Sequence, residues 1–155
     1  MALHHGSGRG GGVTTITLEG GKELAAALRN ASKDMVAAVE DAVTGTGLEL
    51  RGDVVKRIQR GPKTGIIYQR RGVSHQSSAA GEAPATDTGR LANSITFEQV
   101  GPVSVTVGSD LVYAAYLEYG TTRMPKPRPV WRPAVEAMTP KFRKRLLLAL
   151  GMALD

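Results

Sequence analysis

The sequence predicts an α+β domain: a small antiparallel sheet with a long, kinked N-terminal helix, a C-terminal helix and a long extended loop. Three observations predict it. Apolar residues recur at helical spacing through Leu24, Leu28, Ala31, Met35, Val39 and Ala42, and again through Trp131, Val135, Met138, Phe142, Leu146 and Ala149. Short β-branched pieces cluster at 13–20 and between 94 and 120. Residues 62–90 have no period at all. Strand, helix, loop, strands and helix in that order segregate the two kinds of element instead of alternating them.

The 155 residues fit one domain. Residues 1–12, "MALHHGSGRGGG", read as a flexible glycine-rich arm, and 13–155 as the domain. Gly6, Gly8 and Gly11 match a dinucleotide-binding spacing, but no strand precedes them and no helix follows, so the match is discarded. "VTTITLEG" (13–20) alternates like a strand and ends at Gly20–Gly21. The helix after it is interrupted on paper at Thr44-Gly45-Thr46-Gly47, since each glycine costs about 1 kcal/mol relative to alanine. A second helical stretch carries Leu50, Val54 and Ile58 and stops at Gly61–Pro62.

The stretch 62–90 is longer than a compact domain needs for a connection, which marks a working loop or a disordered one; it has one short extended piece at "GIIY", and Pro84 and Thr88-Gly89 favour a defined path with turns at its end. "SITFEQV" (94–100) and "VSVTVGS" (103–109) are strands joined by a tight hairpin at Gly101–Pro102. "VYAAYLEYG" (112–120) is read as a third strand ending at Gly120. A stiff segment with four prolines and four basic residues, "TTRMPKPRPVWRPA", leads into the last helix, where Pro140 kinks or restarts the chain with Thr139 as cap.

Several function classes find no support. The absence of cysteine removes disulfides, thiol catalysis and thiolate metal sites, and suits a reducing cytoplasm. No apolar run reaches the length of a membrane span, and the N-terminus does not read as a signal peptide. His75 is the only histidine outside the arm, and nothing in the sequence brings Glu82, Asp87 or Glu118 together as a carboxylate pair. No metal-ligand spacing and no phosphate-cradling loop is present. The expectation is a protein that is not an enzyme and takes no cofactor and no metal.

The formal charge of +6 is unevenly spread. Seven basic residues face Asp53 alone in 51–71, and eight face Glu136 alone in 123–145. Between Glu82 and Glu118, five acids face only Arg90. Such segregation suits copies that meet basic face to acidic face, and it also suits nucleic acid. A proline-rich segment holds an extended shape and loses little entropy on docking. Arg123, Arg128 and Arg132 in or beside it offer forked donors to carboxylates. Self-complementary parts on one subunit close head to tail into rings. The residues alone therefore point to a protomer of a homo-oligomeric ring. Arg70, Arg71, His75, Glu82, Arg123, Lys126, Arg128 and Arg132 are the candidate subunit contacts, and Arg128→Glu is expected to weaken assembly more than folding. The competing reading is a basic DNA-binding accessory protein.

"HQSSAAGEAPATDTGRLANSI" and "VGSDLVYAAYLEYGTTRMPKPRPVWRPAVE" resemble the gene-product-ten-like tail-component family of long-tailed double-stranded DNA phages. The matching positions are Gly81, Glu82, Pro84 and Ala85; Thr88, Gly89, Leu91, Ser94 and Ile95; Tyr113 and Ala114; Glu118, Tyr119, Gly120 and Thr121; and Met124, Arg128, Pro129, Pro133 and Ala134. The likeness covers about residues 60–138. It implies a neck or tail-completion protein at the head–tail junction, assembled as a ring around the DNA channel beside connector and tail proteins. A tail-terminator ring is the alternative within the same class. Under this resemblance Glu118 becomes a candidate partner for an arginine of the same or the next subunit. Thr88 and Gly89 are read as a turn into the following strand.

Overall fold

The computed structural model describes residues 2–3, 14–17 and 33–151. Most of the glycine-rich arm, the helical stretch expected before Lys33 and the ends of the 13–20 strand lie outside the described residues. The elements are β1 (Ala2–Leu3), β2 (Thr14–Thr17), α1 (Lys33–Arg60), β3 (Ile67–Arg70), β4 (Val73–Gln76), α2 (Arg90–Asn93), β5 (Ile95–Gly101), β6 (Ser104–Ser109), α3 (Val112–Tyr119) and α4 (Trp131–Ala149). The α+β class, the long first helix and the C-terminal helix stand as the sequence predicts.

One sheet is four-stranded and antiparallel in the order β1-β2-β6-β5, and β3–β4 form a separate two-stranded hairpin. The N-terminal strand pairs within its own sheet, Ile16 opposite Val107. The Gly101–Pro102 hairpin joins β5 to β6 as expected, with a register shift between Gln99 and Gly101. Among the described residues β1 and β5 are the edge strands of this sheet. Helices α1 and α4 cover one face. Leu50, Val54 and Ile58 of α1 meet Trp131, Ala134 and Met138 of α4 over Ile95 and Val107, all buried. A second cluster joins Val39 and Val43 to Val105, with Phe97, Phe142 and Leu146 partly buried around it.

Four expectations need correcting. Helix α1 runs unbroken through Thr44–Gly47. Gly47 lies where the helix meets the sheet, and a Cβ there would stand 2.6 Å from Val105 Cγ2 and 2.8 Å from Phe97 Cε2. Glycine permits the close approach, and the packing it allows offsets its helix propensity. Buried Thr46 stays helical by donating its hydroxyl to the Ala42 carbonyl at 2.6 Å.

Residues 112–119 are a helix and not a strand. Ala114 and Glu118, four apart, are buried, while Tyr113, Tyr116 and Tyr119, three apart, are exposed. The tyrosines suggested β-propensity, but the alanine pair and Leu117-Glu118 are strong helix formers, and tertiary packing decided. Gly120 ends the helix with φ 78°, and a Cβ there would meet the Met124 carbonyl oxygen at 2.8 Å.

Helix α4 also continues through Pro140 without restarting. The proline sits on the exposed side, where the carbonyl it leaves unbonded can turn to solvent. Finally, 62–90 is more ordered than its lack of period implied. The "GIIY" piece extends into a full hairpin, closed by a two-residue turn in which Arg71 (φ 52°) and Gly72 (φ 77°) are both left-handed.

Candidate functional site

The segments that carried the family resemblance are far apart in sequence and meet at one place. Pro84, Ala85, Thr88, Gly89 and Leu91 from the loop, Tyr113 and Leu117 from α3, Arg128 from the proline arm and Tyr68 from the hairpin line a single cleft of about 280 Å³. Each wall is fixed by polar contacts internal to the chain.

Glu82 holds the base of the hairpin. Its carboxylate accepts the Thr64 hydroxyl at 2.5 Å, the Thr64 N–H at 3.0 Å and the Ala79 N–H at 2.7 Å. The Thr64 hydroxyl first, then the Ala79 and Thr64 N–H groups, lower its pKa below the ordinary value. Asp87 holds the hairpin's side. It pairs with the Arg70 guanidinium, and His75 Nδ1 lies 3.8 Å from its other oxygen. The His75 ring also stacks on Tyr68, centroids 5.8 Å apart. Gly89, at φ 74°, turns the chain into α2, and the Thr88 hydroxyl accepts the Arg90 N–H at 3.4 Å, so the expected turn leads first into a short helix and then into β5.

The arm is fastened at both ends. Thr121 and Met124 exchange backbone hydrogen bonds just past Gly120. The Arg128 N–H donates to the Leu117 carbonyl at 2.7 Å, and its Nε donates to the Ser78 carbonyl at 3.1 Å. The Gly81 N–H donates to the Pro127 carbonyl at 2.9 Å, a second tie between loop and arm. Glu118 is buried. Its Oε2 accepts the N–H groups of Val130 (2.8 Å) and Trp131 (3.0 Å), and its Oε1 that of Arg132 (2.9 Å). Val130, the residue at the N-cap position of α4, offers no side-chain cap, so a carboxylate brought from α3 does that work.

These contacts divide the sequence-derived interface candidates. Glu118 is removed from the surface set, because burial leaves it no access to a neighbouring subunit. Arg70, His75, Glu82 and half-buried Arg128 are engaged within the chain. Arg71, Arg123, Lys126 and Arg132 are exposed, and no ion pair holds their side chains among the described residues. Of the family-motif positions, Leu91, Thr121, Pro129 and Pro133 are half-buried supports, and Tyr119 faces outward. Sequence reasoning missed two buried serines: Ser78, whose hydroxyl accepts the Ala85 N–H at 3.3 Å, and Ser109, which shares a 2.7 Å hydroxyl contact with Ser94 and accepts the Leu111 N–H. No periodicity marks a loop serine as buried. The signal that could have found these pairings was the co-occurrence of the motif pieces themselves.

No group of three or more acidic or histidine residues arranged to hold a metal occurs among the described residues, and no described helix is long and apolar enough to cross a membrane. Residues 22–120 match the family model of the bacteriophage HK97-gp10 tail component. No curated protein and no solved structure matches the chain.

Proposed function

This chain belongs to the HK97-gp10-like family of bacteriophage tail components, and from that premise we propose that it is a structural subunit of the head–tail connector. In this reading several copies close into a ring around the DNA channel and join head to tail. The chain acts as a neck or tail-completion protein, with no catalysis and no cofactor. Its contacts are with its own copies and with adjoining connector and tail proteins, close to the packaged DNA.

One observation supports this reading above the others. Glu82, Asp87, Arg70 and Arg128 are spent on fixing two segments, the β3–β4 hairpin and the 120–130 arm, and exposed cations are left on both: Arg71 on one, Arg123 and Lys126 on the other. Segments tied down within the chain and carrying unused charge are suited to contacts with other molecules, because less ordering entropy remains to be lost on docking. The test is molecular mass by light scattering at low and high salt, with and without a short DNA duplex. A discrete multi-subunit species without DNA is expected. A monomer that gains mass only on DNA, and loses it in salt, would replace the ring with a DNA-binding accessory role.

A further inference from the structure

The β3–β4 hairpin is a two-stranded sheet with both edges open, and every residue in it except His75 is exposed. Ile67 is 63 % and Val73 56 % exposed. A lone two-stranded hairpin is marginal in water, and open strand edges are templates for pairing with another chain. Its turn carries Arg71 at φ 52°, the single described non-glycine residue with positive φ, where asparagine or glycine would sit without strain. The strained position presents a cation at the tip.

The main sheet ends in two edge strands among the described residues, β1, two residues long, and β5, seven residues long, and β5 is the longer template. Its Glu98 is exposed. Of the five acids between residues 82 and 118, Glu82, Asp87 and Glu118 are consumed by contacts within the chain, while Glu98 and Asp110 have no ion pair among the described residues. From residue 91 to 122 the chain has no lysine or arginine, and from 54 to 76 it has no acid. An open basic hairpin and an open acidic edge are thus left over on one molecule.

We infer that the hairpin of one copy adds to the β5 edge of the next as extra strands, with Arg71 meeting Glu98 across the junction. Main-chain hydrogen bonds supply the attraction, and the charge pair selects the partner edge and the direction. Because the two surfaces differ, the contact is head to tail and repeats from copy to copy. This rests on the ring reading above and names the contact through which the ring closes.

The absence of cysteine allows a direct test in the full chain. A Gln69→Cys protein and a Val100→Cys protein, each carrying a single thiol at an exposed position, are oxidised separately and as a mixture while mass is followed by light scattering. Ser74→Cys and Thr96→Cys serve as a second pair in case the register is offset. Disulfide between hairpin and β5 variants at least tenfold above either self-pairing is expected. In parallel, Arg71→Asn, which suits the turn, should weaken self-association at least tenfold without lowering the melting temperature. Multi-subunit species with no mixed disulfide in either pair would overturn the strand addition and leave the ring standing. Monomers at every concentration would overturn both.

Discussion

The Glu118 carboxylate closes the N-terminus of the helix that Trp131 begins, its Oε2 accepting the Trp131 backbone N–H at 3.0 Å. The first turn of a helix leaves N–H groups without partners, and a carboxylate there is favoured both by hydrogen bonding and by the helix dipole. The contact spans two elements, so it fixes the direction of α4 relative to α3 as well as capping it.

Glu118→Ala leaves three N–H groups at a buried helix end without their acceptor. The expected loss is about 3 kcal/mol by urea or thermal unfolding, the upper range for a cap combined with charge-assisted hydrogen bonds. Glu118→Gln, which keeps an acceptor and loses the charge, should cost about half as much. An alanine variant within 0.5 kcal/mol of the parent, a margin of roughly the size seen for surface changes, would show that the cap contributes little.

The helices of the core were legible because burial writes a period into sequence. Leu50, Val54 and Ile58, and Trp131 and Met138, were named from spacing and are all buried. The β5–β6 hairpin was legible from its turn. Residues 112–119 were not, because their tyrosines lie on the exposed side of a helix and imitate strand composition. The Gly45–Gly47 passage misled because propensity is a weak local cost and the close helix–sheet approach that outweighs it is non-local. At the candidate site the residues were visible as motif pieces, but their roles were not. Glu118 and Arg128 look like free surface charges until the chain folds them onto backbone groups 12 and 50 residues away.

Two of the glycines of α1, Gly45 and Gly47, should respond in opposite directions to the same change. A Cβ at Gly45 meets nothing within 4 Å, so Gly45→Ala should stabilise by about 0.5–1 kcal/mol through helix propensity and a less flexible unfolded chain. Gly47→Ala gains the same propensity but drives a methyl group into Val105 and Phe97, and should lose about 1–3 kcal/mol net. Paired urea titrations decide it, and equal effects at both sites would mean that α1 and the sheet are not in contact at Gly47.

Arg128 was expected from the sequence to serve assembly more than folding, and its geometry reverses the weight. Arg128→Glu places a carboxylate against the Ser78 carbonyl and breaks one of the two ties between loop and arm. The monomer should lose about 1–3 kcal/mol, as for a part-buried charge-assisted hydrogen bond. Arg123→Glu, at an exposed position, should leave the melt within about 0.5 kcal/mol of the parent while lowering the assembled mass seen by light scattering. An Arg128→Glu protein that melts like the parent would return Arg128 to the assembly surface.

Acid should loosen the contact between the two long helices in a defined window. Glu49 of α1 accepts hydrogen bonds from Lys141 Nζ at 2.7 Å and Arg145 Nη2 at 2.5 Å of α4, and these, Lys141 first, hold its pKa below the ordinary 4.5. Above that value the carboxylate is ionised in both folded and unfolded chains, and the contact contributes fully. As pH falls below it, the unfolded chain takes up the proton first. Stability then drops until the folded carboxylate is protonated as well. The group is about a third exposed, so the contribution at neutral pH is that of a surface ion pair, up to about 1 kcal/mol. Glu49→Gln should therefore melt slightly below the parent at pH 7, and the gap should close as pH is lowered from 4.5. High salt should narrow it at neutral pH as well, since the pair is screened. A gap that stays constant from pH 7 to pH 2.5 would assign the effect of the substitution to packing and not to charge.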